Sequence, residues 1–416
     1  MHPLALYIHI PFCAARCPYC DFNTYAGLEA QYEPYVAALV EEIRRAGARL
    51  NRPAARTIFI GGGTPTVLPP ELLARALAAC REAFDLAADA EITSEANPGT
   101  VDQARFVALR ELGVNRLSMG VQSFDDAELR WLGRIHTAAE ATAVFGAARG
   151  AGFANINLDL IFGLPGQAPA TWTRTLTQAL DLGPEHLAIY SLIVEDGTPL
   201  ADQVRRGAVP EPDDDLAADL YEMACNTLAD AGYVQYEISN WARAAQEAKG
   251  KGQALRLRRQ RAAPPLRMQA RSGNQQSAIG NQCRHNLVYW RNEPYLGFGA
   301  GAHSFDGSRR WWNVRGVRAY IERIAAGEPP EEAGEAIGRE LAMGETLMVG
   351  LRLVTEGVPD ARFEARFGVG LDAVFGPQIR DLVAQGLLER LADRVRLTPA
   401  GRLLGNQVFA EFLPAA

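Results

Sequence analysis

The first 240 residues alternate between two patterns of apolar and polar positions. Short, almost wholly apolar runs predict buried strands at residues 4–10, 57–60, 91–96, 116–121, 155–162 and 186–192. Longer runs with apolar side chains at helical spacing predict helices at residues 32–48, 70–84, 101–112, 126–132, 137–151, 169–182 and 213–231. The strands recur about every thirty residues, which is the length of a βα unit and requires a parallel sheet. The pattern therefore predicts an α/β fold with six units, an incomplete or partial (βα)6 barrel.

The remainder of the chain differs from this pattern. Residues 244–282 contain eight Lys or Arg and a single acid, Glu247, together with two prolines and many Gln, Gly and Ala. Because such a composition cannot bury a core, it predicts a basic, disordered insertion. Its charge also suits a contact with anionic lipid or nucleic acid, although a solvated loop is the favoured interpretation. The predicted parts are thus a barrel at 1–243, the insertion, a segment packing on the barrel at 283–338, and a C-terminal domain at 339–416.

Length and charge narrow the class of protein. A chain of 416 residues suits a barrel-sized domain and a smaller one. A net charge of −7 argues against general nucleic-acid binding. No uninterrupted apolar run reaches the length of a membrane span, and the N-terminus lacks a basic region followed by an apolar signal segment. We therefore expect a cytoplasmic protein with reduced cysteines.

Three of the six cysteines, Cys13, Cys17 and Cys20, lie within eight residues just after the first predicted strand. Pro11 ends that strand, so the cysteines are expected on a loop at a strand end, where barrels place their chemistry. Thiolates select soft centres such as zinc, copper(I) or an iron–sulfur cluster, and three ligands leave one coordination position open. A closed zinc site or a disulfide is the alternative, but the C-x3-C-x2-C spacing fits neither.

Polar residues also mark the ends of the following strands. Residues 61–63 are three glycines, whose backbone can approach a ligand and whose N–H groups suit a carboxylate or phosphate. Glu95 and Gln122 end the third and fourth strands, and Asp159 is a lone acid inside an apolar run. Buried carboxylates are costly unless they are paired, so each needs a ligand or a local partner. The alternatives are a tight turn for the glycines and a structural hydrogen bond for each polar side chain.

The cysteine loop, LYIHIPFCAARCPYCDF, resembles the signature of the radical S-adenosylmethionine (SAM) superfamily. The resemblance implies that Cys13, Cys17 and Cys20 hold three irons of a 4Fe-4S cluster and that the fourth iron chelates SAM. An electron from the reduced cluster then cleaves SAM to a 5′-deoxyadenosyl radical in that superfamily. Tyr19 and Phe22, which lie around the third cysteine, are implied as neighbours of these cofactors.

Further motifs narrow the resemblance. The phrases FIGGGTPT, EANPGT, NRLSMGVQSF, LGRIH and NLDLIFGLPGQ resemble those of the family of oxygen-independent coproporphyrinogen III oxidase and its relative, the heme chaperone HemW. The resemblance implies a radical SAM barrel with a smaller, winged-helix-like C-terminal domain. The residues it implies as SAM contacts are Tyr7, Gly62, Gly63, Thr64, Glu95, Gln122, Arg134 and Asp159.

Two features distinguish the branches of this family. The oxidase carries Gly-Cys after its third cluster cysteine and a long N-terminal extension, whereas here Asp21 and Phe22 follow Cys20 and the chain begins at the first strand. The chaperone branch carries the motif H-N-x-x-Y-W, which residues 285–290 match. A histidine can ligate heme iron while aromatic rings pack on the macrocycle. The implied heme residues are His285, Tyr289 and Trp290, with Cys283 and His303 as secondary candidates for a ligand.

The alternative for this motif is a packed aromatic strand with a satisfied histidine. The resemblance implies a chaperone that binds heme, a 4Fe-4S cluster and SAM and transfers heme to apo-hemoproteins. One alternative is the oxidase, which decarboxylates coproporphyrinogen III, so whether the chain is an enzyme stays open. Another is a cluster protein with an unrelated substrate. An electron donor is expected if SAM is cleaved, nucleic acid is not an expected partner, and peripheral membrane contact and oligomerisation stay open.

Overall fold

The computed structural model describes residues 3–244 and 280–414, so the predicted insertion lies outside the described residues except for residues 244 and 280–282. The strands are β1 Leu4–Ile10, β2 Phe12–Cys13, β3 Tyr25–Ala26, β4 Ala54–Gly62, β5 Asp85–Ala96, β6 Arg116–Gln122, β7 Ile156–Phe162, β8 His186–Ser191, β9 Tyr233–Glu237, β10 Asn240–Arg243, β11 Tyr295–Phe298, β12 His303–Phe305, β13 Arg309–Asn313, β14 Glu331–Ala336, β15 Val358–Pro359, β16 Leu388–Arg390 and β17 Arg394–Leu397. The α-helices are α1 Tyr32–Arg49, α2 Pro70–Ala83, α3 Gln103–Glu111, α4 Asp126–Trp131, α5 Ala138–Gly150, α6 Pro169–Leu182, α7 Pro199–Arg205, α8 Asp214–Asp230, α9 Arg284–Trp290, α10 Val317–Ala325, α11 Arg339–Gly350, α12 Asp360–Phe367, α13 Leu371–Ala384, α14 Pro399–Leu403 and α15 Gly405–Ala410.

Twelve strands of the described chain form one sheet, in the order β14-β13-β12-β11-β1-β4-β5-β6-β7-β8-β10-β9. The six strands predicted from the apolar pattern are β1 and β4 to β8, and each pairs in parallel with the next. Side chains from all six line one internal cavity, so the sheet curves around it. The prediction of an α/β fold with a partial (βα)6 barrel is confirmed.

Two of these strands are longer than their apolar runs. The predicted strand at 57–60 spans 54–62 as β4, and that at 91–96 begins at Asp85 as β5. The first residues of β5 are largely exposed, and the buried stretch begins at Ala90. Because the apolar pattern records burial rather than backbone pairing, it marks only the buried part of such a strand.

The segment after residue 283 extends the sheet beyond β1. β11 pairs in parallel with β1 on the side opposite β4, with Leu6 beside Leu296 and Ile8 beside Phe298. β12, β13 and β14 continue the sheet in antiparallel fashion. The sequence pattern did not predict these four strands, because they are short and because the pairing of β11 with β1 joins distant parts of the chain.

The main core lies between the sheet and its helices. Leu6, Ile8 and Ile10 of β1 are buried, and Val36 and Leu39 of α1 belong to the same apolar cluster. Among the described residues, no helix is both long and apolar enough to cross a membrane.

The C-terminal residues fold around a smaller core. α11, β15, α12, α13, β16 and β17 follow one another in the order of a winged helix, and β17 pairs antiparallel with both β15 and β16. The domain docks on the barrel through Arg352, whose guanidinium lies 2.7 Å from the buried carboxylate of Glu237. The winged-helix-like domain is therefore confirmed, whereas the exact boundaries of the four predicted parts stay predictions.

Glu42 of α1 is a buried acid that ties the segment after β11 to the barrel. Its carboxylate accepts hydrogen bonds from the Gly299 N–H at 2.8 Å, the Asn313 side-chain amide at 2.7 Å and the Tyr320 hydroxyl at 2.5 Å. Burial raises the pKa of Glu42 to about 7, although these hydrogen bonds act in the opposite direction. At this junction, burial therefore disfavours the ionised form of Glu42, whereas its three hydrogen bonds favour it.

We expect Glu42→Gln to change how stability depends on pH. Because the pKa of Glu42 is raised on folding, its contribution to stability is fully present below about pH 4.5 and is lost as the pH rises through about 7. From about pH 5 to about pH 8, the free energy of unfolding of the native chain should fall by on the order of 2 kcal/mol relative to that of Glu42→Gln. Urea unfolding at the two pH values measures this difference.

Glu41→Gln is the matched control, because Glu41 precedes Glu42 on α1 and its side chain is 47% exposed. This variant should follow the native chain at both pH values. If the free energies of unfolding of the native chain and Glu42→Gln differed by the same amount at both pH values, the role assigned to Glu42 would be contradicted.

Candidate functional site

The three predicted cluster cysteines lie on the loop that leaves the carboxyl end of β1. β2 and β3 pair with each other at the base of this loop. The His9 Nε2 atom lies 3.0 Å from the backbone carbonyl oxygen of Asn23, near the end of the loop. The Asn23 side chain donates hydrogen bonds to the carbonyl oxygens of Ala300 and Arg315. The loop is therefore fixed both to the barrel and to the segment after β11.

A cavity of about 160 Å³, the cluster cavity, lies between this loop and the carboxyl ends of β4 to β7. It brings together most of the residues that the sequence predicts for the cluster and SAM. They are Cys13, Cys17, Tyr19, Cys20, Phe22, Gly62, Gly63, Thr64, Glu95, Gln122, Arg134 and Asp159. Tyr7 is the exception, since it lines two adjoining cavities instead.

Two of the thiols have polar partners. The Thr64 hydroxyl donates to the Cys13 Sγ atom at 3.6 Å, and the Arg134 guanidinium donates to the Cys17 Sγ atom at 3.3 Å. Burial raises the pKa of both Cys13 and Cys20 and so disfavours their thiolate forms. Binding of a metal cation reverses this preference, because metal ligands must be deprotonated. Within residues 3–244 and 280–414, no three His, Cys, Asp or Glu side chains converge as they do around a single metal ion. An iron–sulfur cluster takes each thiolate at a different iron, and this set of three cysteines fits such a cluster with one iron left open.

The glycines at the end of β4 pack closely against β1 and the residues that follow it. A Cβ atom on Gly62 would lie 2.4 Å from the His9 ring, and one on Gly63 would lie 2.8 Å from the carbonyl oxygen of Ile10. Gly62 also has a φ of 104°, which favours glycine. Its N–H donates to the Glu95 carboxylate at 3.1 Å, and the Gly63 N–H donates to the Ile10 carbonyl. The Gly62 N–H thus faces a carboxylate that belongs to the protein itself, and the Gly63 N–H faces a backbone carbonyl oxygen. Contact of these glycines with SAM stays a prediction.

Glu95 and Asp159 are two partly buried acids that line the cluster cavity. Burial raises the pKa of Glu95 to about 8, and the charge of Asp159 adds to this effect. Burial also raises the pKa of Asp159 to about 6, while hydrogen bonds from Asn157 and Ser118 oppose it. Asp159 thus makes the structural hydrogen bonds that were the alternative to a ligand contact, and it also lines the cluster cavity. A cationic ligand beside these two side chains favours their ionised forms. SAM carries two such cationic groups, an amino group and a sulfonium.

Gln122 adopts a strained backbone at the end of β6. Its φ is 72°, and the pairing of β6 with β7 shifts register between Gly120 and Gln122. Arg134 donates to the carbonyl oxygen of Gly120 at 2.7 Å, next to this irregularity. Such strain costs about 1–3 kcal/mol and clusters at binding sites, and bulges re-aim side chains. The irregularity places Gln122 in the wall of the cluster cavity.

A second cavity of about 220 Å³, the barrel cavity, shares Glu95, Ser118 and Asp159 with the cluster cavity. Besides the predicted residues Tyr7, His285 and Tyr289, its polar walls include six residues that were not singled out from the sequence. They are Arg116, Asn157, His186, Tyr190, Asn240 and Asn286. Arg116 is 2% exposed, and its Nε atom has no partner within the described chain. A charged residue at the start of an apolar strand was the signal that could have identified it.

The motif at 285–290 forms helix α9, so the aromatic strand of the alternative is wrong, although its histidine is satisfied. His285 is 1% exposed. Its Nδ1 atom lies 2.9 Å from the Thr57 hydroxyl, and its Nε2 atom lies 2.9 Å from the Tyr289 hydroxyl. Burial lowers the pKa of His285 to about 3. Both ring nitrogens are therefore engaged within the protein.

The other predicted heme residues lie in different parts of the structure. Tyr289 lines the barrel cavity and a third, larger cavity. Trp290 packs instead against the C-terminal domain, where the Arg352 guanidinium lies 4.6 Å from its ring centroid. Cys283 is fully buried, and its thiol donates to Glu91 at 3.6 Å. The structure does not bring these side chains into one cavity.

The third cavity, the large cavity, has a volume of about 650 Å³. It shares Phe22, Gly62 and Glu95 with the cluster cavity. Its other walls include Tyr289 of α9, Tyr295 of β11, and three residues from the segment after β11, namely His303, Trp312 and Arg315. Of these, Tyr295, Trp312 and Arg315 escaped the sequence analysis, because their position depends on the pairing of β11 with β1.

Two family models match the chain. The model of the radical SAM superfamily matches residues 7–179, and that of the HemN C-terminal domain matches residues 339–404. The solved structure of coproporphyrinogen III oxidase (HemN) from Escherichia coli, a radical SAM enzyme, aligns with a TM-score of 0.77. It is 24% identical and covers 99% of this chain and 90% of the oxidase, so it supports the fold.

Closer similarity is found to curated heme chaperones. The heme chaperone HemW of Bacillus subtilis is 38% identical over 408 residues, which cover 98% of each chain. The heme chaperone HemW of Escherichia coli is 37% identical over 420 residues, which cover 99% of this chain and 98% of the relative. With this similarity over nearly the full length of both partners, the chain belongs to the HemW family of radical SAM proteins.

Proposed function

We propose that this protein is a heme chaperone, which binds heme, a 4Fe-4S cluster and SAM and transfers heme to apo-hemoproteins. Its relatives in Bacillus subtilis and Escherichia coli are heme chaperones. The observation that carries the proposal is the large cavity, which is walled by aromatic rings and adjoins the cluster cavity. Its volume of about 650 Å³ lies in the range of pockets that bind ligands of this kind.

Cys13, Cys17 and Cys20 are the proposed cluster ligands, and SAM is proposed to bind at the open iron. The acidic pair of Glu95 and Asp159 suits the cationic part of SAM. Arg134 suits its carboxylate. Tyr7, Tyr19, Gly62, Gly63, Thr64 and Gln122 are proposed as further SAM contacts. When bound, the cluster and SAM would supply one-electron chemistry, and the proposed role of the chain is to hold both groups in the cluster cavity.

Phe22 supports a role in binding a large apolar ligand. Its side chain is 62% exposed, although it lies in the walls of both the cluster cavity and the large cavity. An exposed aromatic ring at the mouth of a cavity is available to pack on an apolar ligand. Heme is a flat macrocycle with an apolar face, and it fits this requirement. Apo-hemoproteins are the proposed acceptors.

We expect Cys17→Ala to lose the cluster, because a cluster held by two thiolates is poorly retained. After anaerobic reconstitution, its iron and acid-labile sulfide content should fall at least several-fold below that of the native chain. Cys225→Ala is the matched control, since Cys225 lies on α8, away from the cluster cavity. Equal iron and sulfide content in Cys17→Ala and the native chain would contradict the assignment of the cluster loop.

Heme transfer tests the proposed function. Heme-loaded, cluster-containing protein is mixed with an apo-cytochrome, and the rate of transfer is followed by absorbance at several acceptor concentrations. A chaperone that hands heme over in a complex gives a rate that rises with acceptor concentration, whereas simple heme dissociation gives a constant rate. A constant rate would contradict the proposal.

The oxidase is tested in parallel by anaerobic incubation of reduced protein with SAM and coproporphyrinogen III. We expect no protoporphyrinogen by liquid chromatography and mass spectrometry. Catalytic formation of protoporphyrinogen together with 5′-deoxyadenosine would overturn the chaperone assignment.

A further inference from the structure

We propose that His303 in the large cavity, and not His285, is the protein ligand of the heme iron, and that Arg315 contacts a heme propionate. The inference rests on the proposed heme-binding function and concerns which residues serve it. It assigns the H-N-x-x-Y-W motif a positioning role.

His303 is placed to receive a ligand. It is the first residue of β12, its side chain is exposed, and it lies in the wall of the large cavity. Its ring stacks on Trp312, with centroids 5.6 Å apart and planes inclined by 25°. Within the described chain its ring nitrogens make no hydrogen bond. Burial and the charges of Arg310 and Arg315 lower the pKa of His303, which favours the neutral ring. A neutral, oriented imidazole with a free nitrogen is what heme iron requires of an axial ligand.

His285 lacks these properties. Its two ring nitrogens contact the Thr57 and Tyr289 hydroxyls, and the side chain is 1% exposed. Coordination of iron by His285 requires the loss of one of these buried hydrogen bonds and the entry of the macrocycle into the barrel cavity, whose volume is about 220 Å³. The contact with Tyr289 instead fixes that tyrosine between the barrel cavity and the large cavity.

Arg315 supplies a cation to the same cavity. Its backbone carbonyl anchors the Asn23 and Tyr25 side chains, which holds this position against the cysteine loop. Its side chain is exposed and lines the large cavity. Glu332 also lines the cavity and repels a carboxylate, so a propionate is directed toward Arg315. Arginine recognises carboxylates through two parallel hydrogen bonds.

The axial ligand is tested by titrating heme into cluster-loaded native protein, His303→Ala and His285→Ala. Difference absorbance and resonance Raman spectra report the iron ligand, and the iron and sulfide content of each variant verifies that the fold is intact. We expect His303→Ala to lose the histidine-ligated spectrum and to bind heme at least about tenfold more weakly. Added imidazole should restore the spectrum. We expect His285→Ala to retain the histidine-ligated spectrum.

Two results separate this inference from the proposed function. A native chain that binds no stoichiometric heme would overturn both. Native binding with an unchanged spectrum in His303→Ala, or loss of the ligated spectrum in His285→Ala alone, would overturn the assignment of His303 and leave the chaperone function standing.

The propionate contact is tested with Arg315→Ala and the control Arg318→Ala. Arg318 is an exposed arginine three residues away that does not line the large cavity. We expect Arg315→Ala to weaken binding of heme about threefold to tenfold and to leave binding of heme dimethyl ester unchanged, because the ester has no propionate charge. An equal loss for heme and its ester, or no loss for either, would contradict the contact.

Discussion

The parallel pairing of β1 with β4 on one side and with β11 on the other is the constraint on which the rest of the structure depends. The register places His9 beside Gly61 and Ile8 beside Phe298, so one strand fixes the glycine turn and the segment after β11 at once. The cysteine loop leaves the same strand. The cluster cavity and the large cavity are therefore adjacent because both are built on the carboxyl end of β1.

Several residues serve the fold and the site together. The Gly62 N–H is accepted by Glu95, and the absence of a side chain on Gly62 makes room for the His9 ring. His9 in turn holds the end of the cysteine loop through the carbonyl of Asn23. Substitution of any of these groups disturbs both the packing of β4 and the cavity walls, so loss of cofactor binding alone does not distinguish a ligand from a support. Matched spectroscopic readouts are needed for that distinction.

Much of the barrel could be predicted from the sequence, because its strands are buried apolar runs and its cysteines lie on one short loop. Even distant residues reach the predicted cavity: Asp159 from β7, and Arg134 from the connection between α4 and α5 that follows β6. The reason is that parallel strands direct their carboxyl ends and the connections that follow them to one edge of the sheet. The role of the glycines could not be predicted, because it depends on the contact of β4 with His9 and Ile10. Nor could the burial of His285, which follows from the packing of α9 against Thr57 of the distant strand β4, or the exposure of His303 at the start of β12.

Fluorescence of zinc protoporphyrin IX tests most directly whether heme binds beside the cluster. This fluorescent analogue also takes a single axial histidine, and a nearby iron–sulfur cluster quenches its excited state. Its fluorescence lifetime is measured when it is bound to cluster-free and to cluster-loaded protein. Adjacent cavities that share Phe22, Gly62 and Glu95 predict a clearly shorter lifetime in the cluster-loaded protein. Equal lifetimes at full occupancy would show that heme binds elsewhere and would contradict the arrangement of the two cavities around β1.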